Sequence, residues 1–229
     1  MKSAYELSAN TLESMVFLNR GDHFEAQPLS VEAQMAPAFG VCVGDMDGDG
    51  NEDVFLSQNF FATQPGTSPY DSGRGLWLRG DGKGGFLGVP GQVSGIEIYG
   101  EQRGCALADY DHDGRIDLVV AQNAAGTKLF HNVGAKPGLL VRLAGPPGNP
   151  NGVGATMRLL FSTGTGPTRE VHAGSGYWSQ DGALQVLAIP QPPSAIVVHW
   201  PWGSVVTNAV PPGAREISVD LAGKLNLLR

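Results

Sequence analysis

The chain has 229 residues, enough for one large or two small domains with a buried core. Only 16% of the residues are charged, whereas glycine (33) and proline (16) are abundant, and this turn-rich composition indicates an all-β fold. The net charge of −7 argues against nucleic acid and anionic membranes as partners. No apolar run is long enough to span a bilayer, and the first residues, MKSAYELSANTLESM, lack the apolar core of a signal sequence. Composition therefore leaves open a cytosolic protein, a processed product or an excised fragment.

Short apolar strands followed by glycine-rich turns recur along the first half of the chain. MVFLNRGDHFEAQPL from Met15 and LWLRGDGKGGFLGV from Leu76 each predict a β-hairpin, and LFHNVG from Leu129 repeats the first strand. Both hairpins contain Arg-Gly-Asp, at residues 20–22 and 79–81. Because both copies fall in the turn, turn formation explains them better than recognition by an integrin. Between the two units, residues 59–75 form a long insertion rich in glycine and proline.

Two acidic stretches are the most distinctive feature of the sequence. GDMDGDGNEDVFLSQN begins at Gly44 and ADYDHDGRIDLVVAQN begins at Ala108, so equivalent aspartates are separated by 64 residues. Together the two stretches hold eight of the thirteen aspartates. Each follows a short apolar run, FGVCV or GCALA, and leads into a β-rich run. Strand, acidic turn and strand is the simplest interpretation.

The spacing of the aspartates predicts one calcium ion in each loop. Calcium takes six to eight oxygen ligands, and carboxylates at alternate positions of a tight loop turn inward. The predicted ligands are the side chains of Asp45, Asp47, Asp49 and Asp53 with the backbone carbonyl of Asn51, and those of Asp109, Asp111, Asp113 and Asp117 with the carbonyl of Arg115. Gly50 and Gly114 follow the third aspartate, where a sharp turn requires positive φ.

Alternatives to calcium are weaker. An EF-hand would place Glu at position 12, whereas Leu56 and Val120 stand there. Magnesium prefers strict octahedral geometry and retains water. The remaining alternative is that the Asp-Gly clusters only form turns, although a turn does not need four carboxylates in register.

The repeats predict two domains. Units of four strands are typical of β-propeller blades, so residues 1–136 are predicted to form a partial propeller with two calcium loops. The remaining blades would come from a longer chain or another subunit. From Leu139, seven short strands predict a β-sandwich over residues 137–229. They are PGLLVRLAG, GATMRLLFST, TREVHAGSGYW, LQVLAI, AIVVHWP, SVVTNAV and REISVDLAG.

Other candidate residues are less specific. His172, Ser175 and Asp181 could form a hydrolase triad, but no G-x-S-x-G motif is present, and a structured loop is the simpler interpretation. Seven aromatic residues either stack on a ligand such as a sugar ring or fill the cores; they are Trp77, Trp178, Trp200, Trp202, Tyr70, Tyr99 and Tyr177. Cys42 and Cys105 precede their loops by three and four residues, which points them to opposite faces of equivalent strands. This favours two small buried side chains over a disulfide and leaves the disulfide open.

The acidic loops resemble those of the FG-GAP/VCBS repeat family, and all eight aspartates match the pattern. The segments LVRLAGPPGNPNGVGATMRL, REVHAGSGYWSQD and VVHWPWG resemble the ASPIC/UnbV domain, which follows such repeats in secreted proteins such as cartilage acidic protein. The resemblance implies calcium loops between propeller strands. It also implies a secreted, periplasmic or cell-surface location. Members of the family usually carry more repeats, which implies that this chain is a fragment or a processed C-terminal piece.

These observations predict a calcium-binding, non-enzymatic extracellular interaction or adhesion module whose partner is a protein or a glycan. Two alternatives remain. The chain could be a targeting or accessory domain of a polysaccharide-active enzyme, or a purely structural spacer of a larger surface protein.

Overall fold

The computed structural model describes residues 7–229, and this part of the chain is all-β, as predicted. The predicted N-terminal hairpin is present as antiparallel strands β1 (Met15–Asn19) and β2 (Phe24–Pro28). The prediction that the N-terminal segment lacks a signal core falls partly on residues 1–6, which lie outside the described range.

A four-stranded antiparallel meander follows the hairpin. Its strands are β3 (Ala38–Gly44), β4 (Asp53–Gln58), β5 (Leu76–Gly80) and β6 (Phe86–Val89), paired in chain order. The two ends of the insertion between β4 and β5 are hydrogen-bonded to each other: Asn59 Nδ2 donates to Gly73 O at 2.8 Å, and Gly73 N donates to Asn59 Oδ1 at 2.8 Å. The insertion therefore leaves the pairing of β4 with β5 intact.

A second meander has three strands. They are β7 (Glu101–Ala108), β8 (Asp117–Asn123) and β9 (Ala125–Phe130), again paired in chain order. The last strand begins at Ala125 rather than at the predicted Leu129, since the chain reverses at Ala124 with a φ of 55°. Each meander thus carries its acidic stretch in the loop between its first two strands.

The two meanders share one apolar core. Phe55 and Cys42 from the first meander pack with Cys105 and Val120 from the second. Cys42 and Cys105 are both buried and free, which confirms the favoured prediction of two small buried side chains. They nevertheless meet in this core, although they lie on opposite faces of equivalent strands. Side chains on opposite faces of equivalent strands come together when the front of one sheet packs against the back of the next.

The C-terminal half forms two further sheets. Their strands are β10 (Leu139–Ala144), β11 (Thr156–Phe161), β12 (Gly164–Thr165), β13 (Arg169–Glu170), β14 (Gln185–Leu187), β15 (Ala195–His199), β16 (Val205–Ala209), β17 (Glu216–Asp220) and β18 (Leu225–Leu227). One sheet has the order β14-β10-β17-β18, in which the pair β10–β17 is parallel; the other has the order β12-β11-β15-β16, with β13 also pairing with β11. All seven predicted strands are present, and β12 and β18 are additional.

One core lies between these two sheets. Leu139, Val141 and Ile217 from the first sheet contact Met157 and Ile196 from the second. The predicted strand TREVHAGSGYW forms a strand only at the two residues of β13. It does not continue because Gly174, Gly176 and Trp178 take positive φ values of 104°, 141° and 49°. The segment after β13 is therefore a loop rather than a strand.

Helical structure in the described residues is limited to single turns, a 3₁₀ turn at Val31–Gln34 and α1 at Gly91–Ser94. Across residues 7–229 no helix has the length and apolar character needed to cross a bilayer.

Candidate metal centres

The two acidic loops are held at equivalent ends of the two meanders. In the first, β3 and β4 stay paired up to Gly44 and Asp53; in the second, β7 and β8 stay paired up to Ala108 and Asp117. Each loop is therefore a closed hairpin connection whose last aspartate is already part of a strand.

The first aspartate of each loop organises the turn. Asp45 Oδ1 accepts the N–H groups of Gly48 at 2.7 Å and Asp49 at 3.1 Å, and Asp45 Oδ2 accepts that of Gly50 at 2.7 Å. In the second loop, Asp109 Oδ1 and Oδ2 accept the N–H groups of residues 113 and 114 at 3.0 and 2.8 Å. Because donors bind the carboxylate from the backbone side, it is fixed before any ligand arrives.

The last aspartate of each loop ties the loop to the next strand. Asp53 accepts N–H bonds from Met46 at 3.0 Å and Gly80 at 2.9 Å. Asp117 accepts equivalent bonds from residues 110 and 132 at 3.1 and 2.7 Å. The two loops therefore repeat most of the same hydrogen bonds, although their sequences differ at most non-acidic positions.

The predicted glycine conformations are confirmed. Gly50 and Gly114 have φ values of 97° and 89°. A second left-handed position holds Gly48 in the first loop, with φ of 73°, and His112 in the second, with φ of 60°. A non-glycine residue rarely takes this conformation, so His112 adopts it at some cost in strain.

The structure brings three of the four aspartates of each loop together. In each group, carboxylate oxygens from all members lie within 4.8 Å of one another, which is close enough to share a cation. The groups are Asp45, Asp47 and Asp53 in the first loop and Asp109, Asp111 and Asp117 in the second.

Asp49 and Asp113 lie outside these two groups. Asp49 Oδ1 accepts the N–H of Asn51 at 2.8 Å, and Asp113 Oδ1 accepts that of Arg115 at 2.9 Å. Both carboxylates thus support the turn, and the predicted ligand roles of these two aspartates and of the two carbonyls stay predictions.

Burial makes three of the clustered carboxylates costly to ionise. It raises the pKa values of Asp45 and Asp117, and it raises that of Asp53 to about 6, against the lowering effect of their backbone hydrogen bonds. Nearby carboxylates add to the effect, since Asp49 raises the pKa of Asp45 and Asp47 that of Asp53. A bound cation would offset both the lost hydration and the repulsion between like charges.

Arginine and histidine side chains already approach both clusters. Arg79 Nε lies 2.7 Å from Asp47 Oδ2, although its N–H does not point at that oxygen. His131 Nε2 lies 3.0 Å from Asp111 Oδ2 and 3.6 Å from Asp113 Oδ2, and these three residues form a third potential metal group. Arg115 also contacts Asp113. Sequence reasoning missed His131, because it lies outside the acidic stretch and only strand pairing brings it there.

The contacts of the two Arg-Gly-Asp segments lie within or next to the hairpins that contain them. Gly80 donates to Asp53, while Asp81 Oδ1 accepts N–H bonds from residues 83 and 85 at 2.7 and 2.9 Å. In the other copy Arg20 pairs with Glu25 at 2.7 Å. These contacts favour the turn interpretation.

The residues of the possible triad make structural contacts. Ser175 Oγ accepts the N–H of Asp181 at 2.6 Å, and Asp181 Oδ1 accepts that of Leu107 at 2.7 Å. Within residues 7–229 no hydrogen bond joins His172 to Ser175. Asp181 therefore fastens the loop after β13 to β7 of the second meander.

That loop carries two exposed rings, Tyr177 and Trp178, and together with the half-buried Phe39 of β3 they form a set here called the aromatic stack. The Trp178 ring lies parallel to that of Tyr177, with centroids 5.8 Å apart, and Tyr177 meets Phe39 edge-on at 5.8 Å. Arg103 covers Phe39, with its guanidinium carbon 4.0 Å from the ring centroid. Trp178 is 92% exposed, so one face of a large ring is available to a partner.

The other aromatic candidates separate by burial. Trp200 is buried and stacks on the half-exposed Trp202 with centroids 5.6 Å apart, whereas Tyr70 and Tyr99 are exposed. Only the aromatic stack combines a nearly free indole face with neighbours from two parts of the fold.

Fold and site together define an all-β chain in which two equivalent hairpin loops form acidic, metal-competent clusters. No protein-family model matches the chain, and no curated protein matches it significantly.

Proposed function

We propose that this protein is a calcium-stabilised, non-enzymatic interaction module of the extracellular type, with a protein or a glycan as its partner. The observation that carries the calcium part is the convergence of three carboxylates in each of two loops with the same hydrogen bonds. The donors are all hard oxygens, which suit calcium, and carbonyls or water would complete a shell of six to eight ligands. Asn51 and Arg115 are the proposed carbonyl donors.

The role proposed for the ions is to hold each hairpin closed. Without a cation the carboxylates of one cluster repel one another and favour opening of the hairpin. A bound ion holds β3 to β4, and β7 to β8, at the ends where the strands separate. Because the ion binds the folded form, it stabilises the protein by mass action, by about 2.7 kcal/mol per site at a concentration of one hundred times Kd.

Calorimetric titration of the chelated protein with calcium, paired with melting curves, tests this part. Two sites and a raised midpoint are expected. The double variant Asp47→Ala/Asp111→Ala should lose the shift, whereas Asp81→Ala, which removes an aspartate from a turn outside both loops, should keep it. Retention of the shift in the double variant would show that the ligand assignment is wrong.

We propose the aromatic stack as the contact surface of the module. Trp178 offers an open indole face, and its backbone is held at positive φ, a strained conformation of the kind that recurs at functional sites. Ring faces stack well on the apolar face of a sugar and also anchor protein interfaces.

A glycan array and a hydrolysis screen separate the candidate functions. Binding that is lost in Trp178→Ala, without turnover of any bound glycan, supports the module. Turnover would favour a part of a polysaccharide-active enzyme. Absence of binding to glycans or proteins would favour a structural spacer.

The architecture proposed for this function is a partial β-propeller over residues 1–136 followed by a β-sandwich over 137–229. The partial propeller is supported by consecutive antiparallel meanders that stack front to back. The sandwich is supported by two sheets that pack around one core. Further blades would come from a longer chain or another subunit. A crystal structure whose two meanders are not related by rotation about a common axis would exclude the propeller.

A further inference from the structure

The two cysteines of the chain face each other between the two meanders. Cys42 lies on β3 and Cys105 on β7, and their Sγ atoms are 2.9 Å apart. Both side chains are buried, at 1% and 2% exposure, and both are free thiols in this structure. The full sequence contains no other cysteine, so neither has a competing partner within the chain.

The packing around the pair brings the two strands close together. A Cβ atom placed on Gly40 would lie 2.8 Å from Cys105 Sγ and 2.7 Å from Arg103 O, so only glycine fits there without a shift. Ser57 Oγ, also beside Gly40, donates to Arg103 O across the same gap. The strands that carry the two sulfurs are thus held close together two residues before each cysteine, and closing the sulfurs to the bond length of about 2.05 Å requires little movement.

We propose that Cys42 and Cys105 form a disulfide that joins the two meanders covalently. Its formation converts two thiols into one S–S bond with loss of two protons and two electrons. A small disulfide such as oxidised glutathione accepts the electrons: one cysteine displaces a glutathione thiolate to give a mixed disulfide, and the second cysteine displaces the other glutathione. The products are the protein disulfide and two molecules of glutathione.

Burial determines when this exchange takes place. The hydrogen bond that the Cys42 thiol donates to Cys105 and the burial of the group both raise the pKa of Cys42, so the reactive thiolate is scarce in the closed fold. The oxidant therefore acts before the meanders close or when they open. Once formed, the bond is shielded from reductants, and it closes a loop between residues 63 positions apart in the chain.

The experiment uses the full chain. It is unfolded in guanidinium chloride, then refolded by dilution with oxidised glutathione or with dithiothreitol, in each case both with calcium and with a chelator. Free thiols are titrated after denaturation, intact mass is measured, and the peptides are mapped without reduction. The oxidised monomer is expected to have no free thiols, a mass lower by two hydrogens, and a peptide linking Cys42 to Cys105.

The thermal midpoint gives a second readout. The bridged protein is expected to melt about 10 °C above the reduced protein, because the crosslink restricts the unfolded chain. The variant Cys42→Ala/Cys105→Ala should melt at the same temperature after either treatment. Two titratable thiols or glutathione adducts after oxidative refolding would overturn the proposal, as would a bridged protein that melts no higher than the reduced one. These readouts do not depend on calcium binding, so failure here is distinct from failure of the proposed function.

Discussion

Arg79 places its Nε 2.7 Å from Asp47 in the first loop, at the position that His131 takes toward Asp111 in the second. Arg79 and His131 occupy equivalent positions, because the residues that follow them, Gly80 and Asn132, donate matching N–H bonds to Asp53 and Asp117. Asp47 is therefore paired with a permanent positive charge, whereas Asp111 is paired with a histidine, so the two loops are expected to bind cations with different affinities.

Replacing Arg79 by Gln should strengthen calcium binding in the first loop. The guanidinium competes with the ion for Asp47, and its removal should raise the affinity by up to about fivefold, as a partly exposed ion pair contributes about 1 kcal/mol or less. Arg20→Gln in the other Arg-Gly-Asp segment is the matched control. Calorimetry measures both, and an unchanged or weaker first site in Arg79→Gln would contradict the competition.

Single substitutions should remove the calcium sites one at a time. Asp47→Asn and Asp111→Asn are suitable because each side chain accepts only one backbone hydrogen bond, from residue 49 or 113, so the turns should survive. Each variant is expected to bind one ion instead of two, and the calorimetric stoichiometry measures this. If either single variant lost both ions, the loops would not be independent sites.

Glu101 should make the protein sensitive to acid. Despite the cost of burial, bonds from Phe61 N at 2.8 Å and Asn123 Nδ2 at 2.6 Å, together with Arg103 at 2.7 Å, lower the pKa of Glu101 to about 2. Since the folded pKa lies below the ordinary value of 4.5, the stabilisation is fully present above about pH 4.5 and is lost as the pH falls toward 2.

Glu101→Gln is expected to lower the free energy of unfolding at pH 7 by about 2 kcal/mol, because it weakens hydrogen bonds to a buried charge. The difference from the unchanged protein should shrink between pH 4.5 and pH 2. Denaturant titrations across this range measure it, with exposed Glu97→Gln as control. A difference independent of pH would show that Glu101 contributes through packing alone.

Gly40→Ala should loosen the contact between the meanders. Its Cβ would meet Arg103 O at 2.7 Å and two side-chain atoms at 2.8 Å, so β3 and β7 must separate, with an expected loss of about 1–3 kcal/mol. Gly126→Ala on β9 has open space around its Cβ and serves as control. Equal stability of the two variants would contradict the close approach of β3 to β7.

Two tryptophans should respond in opposite ways to substitution. Trp178→Gly removes an exposed side chain at positive φ and should leave stability unchanged or slightly raised while abolishing partner binding. Trp200→Ala should lose about 3–5 kcal/mol, since that ring is buried in the C-terminal core. Denaturant unfolding compares them, and a strong loss in Trp178→Gly would assign that residue a structural role.

Local features of the fold were predictable from the sequence. The hairpin at Met15, the strands around both acidic stretches and the positive φ of Gly50 and Gly114 depend on short-range patterns of apolar, turn-forming and acidic residues. The loop after β13 was mistaken for a longer strand because three left-handed residues break it, one of them Trp178, which propensity does not mark as a turn residue.

The sequence by itself determined that the protein is all-β and that eight carboxylates fall in two equivalent loops, since both follow from spacing along the chain. Only the tertiary structure decided which residues from distant strands meet. It placed Arg79 and His131 beside those loops, set Cys42 against Cys105, grouped Asp113 with Asp111 and His131, and left Asp49 outside the groups. The physical reason is that strand pairing and the front-to-back packing of sheets join residues that no local pattern connects.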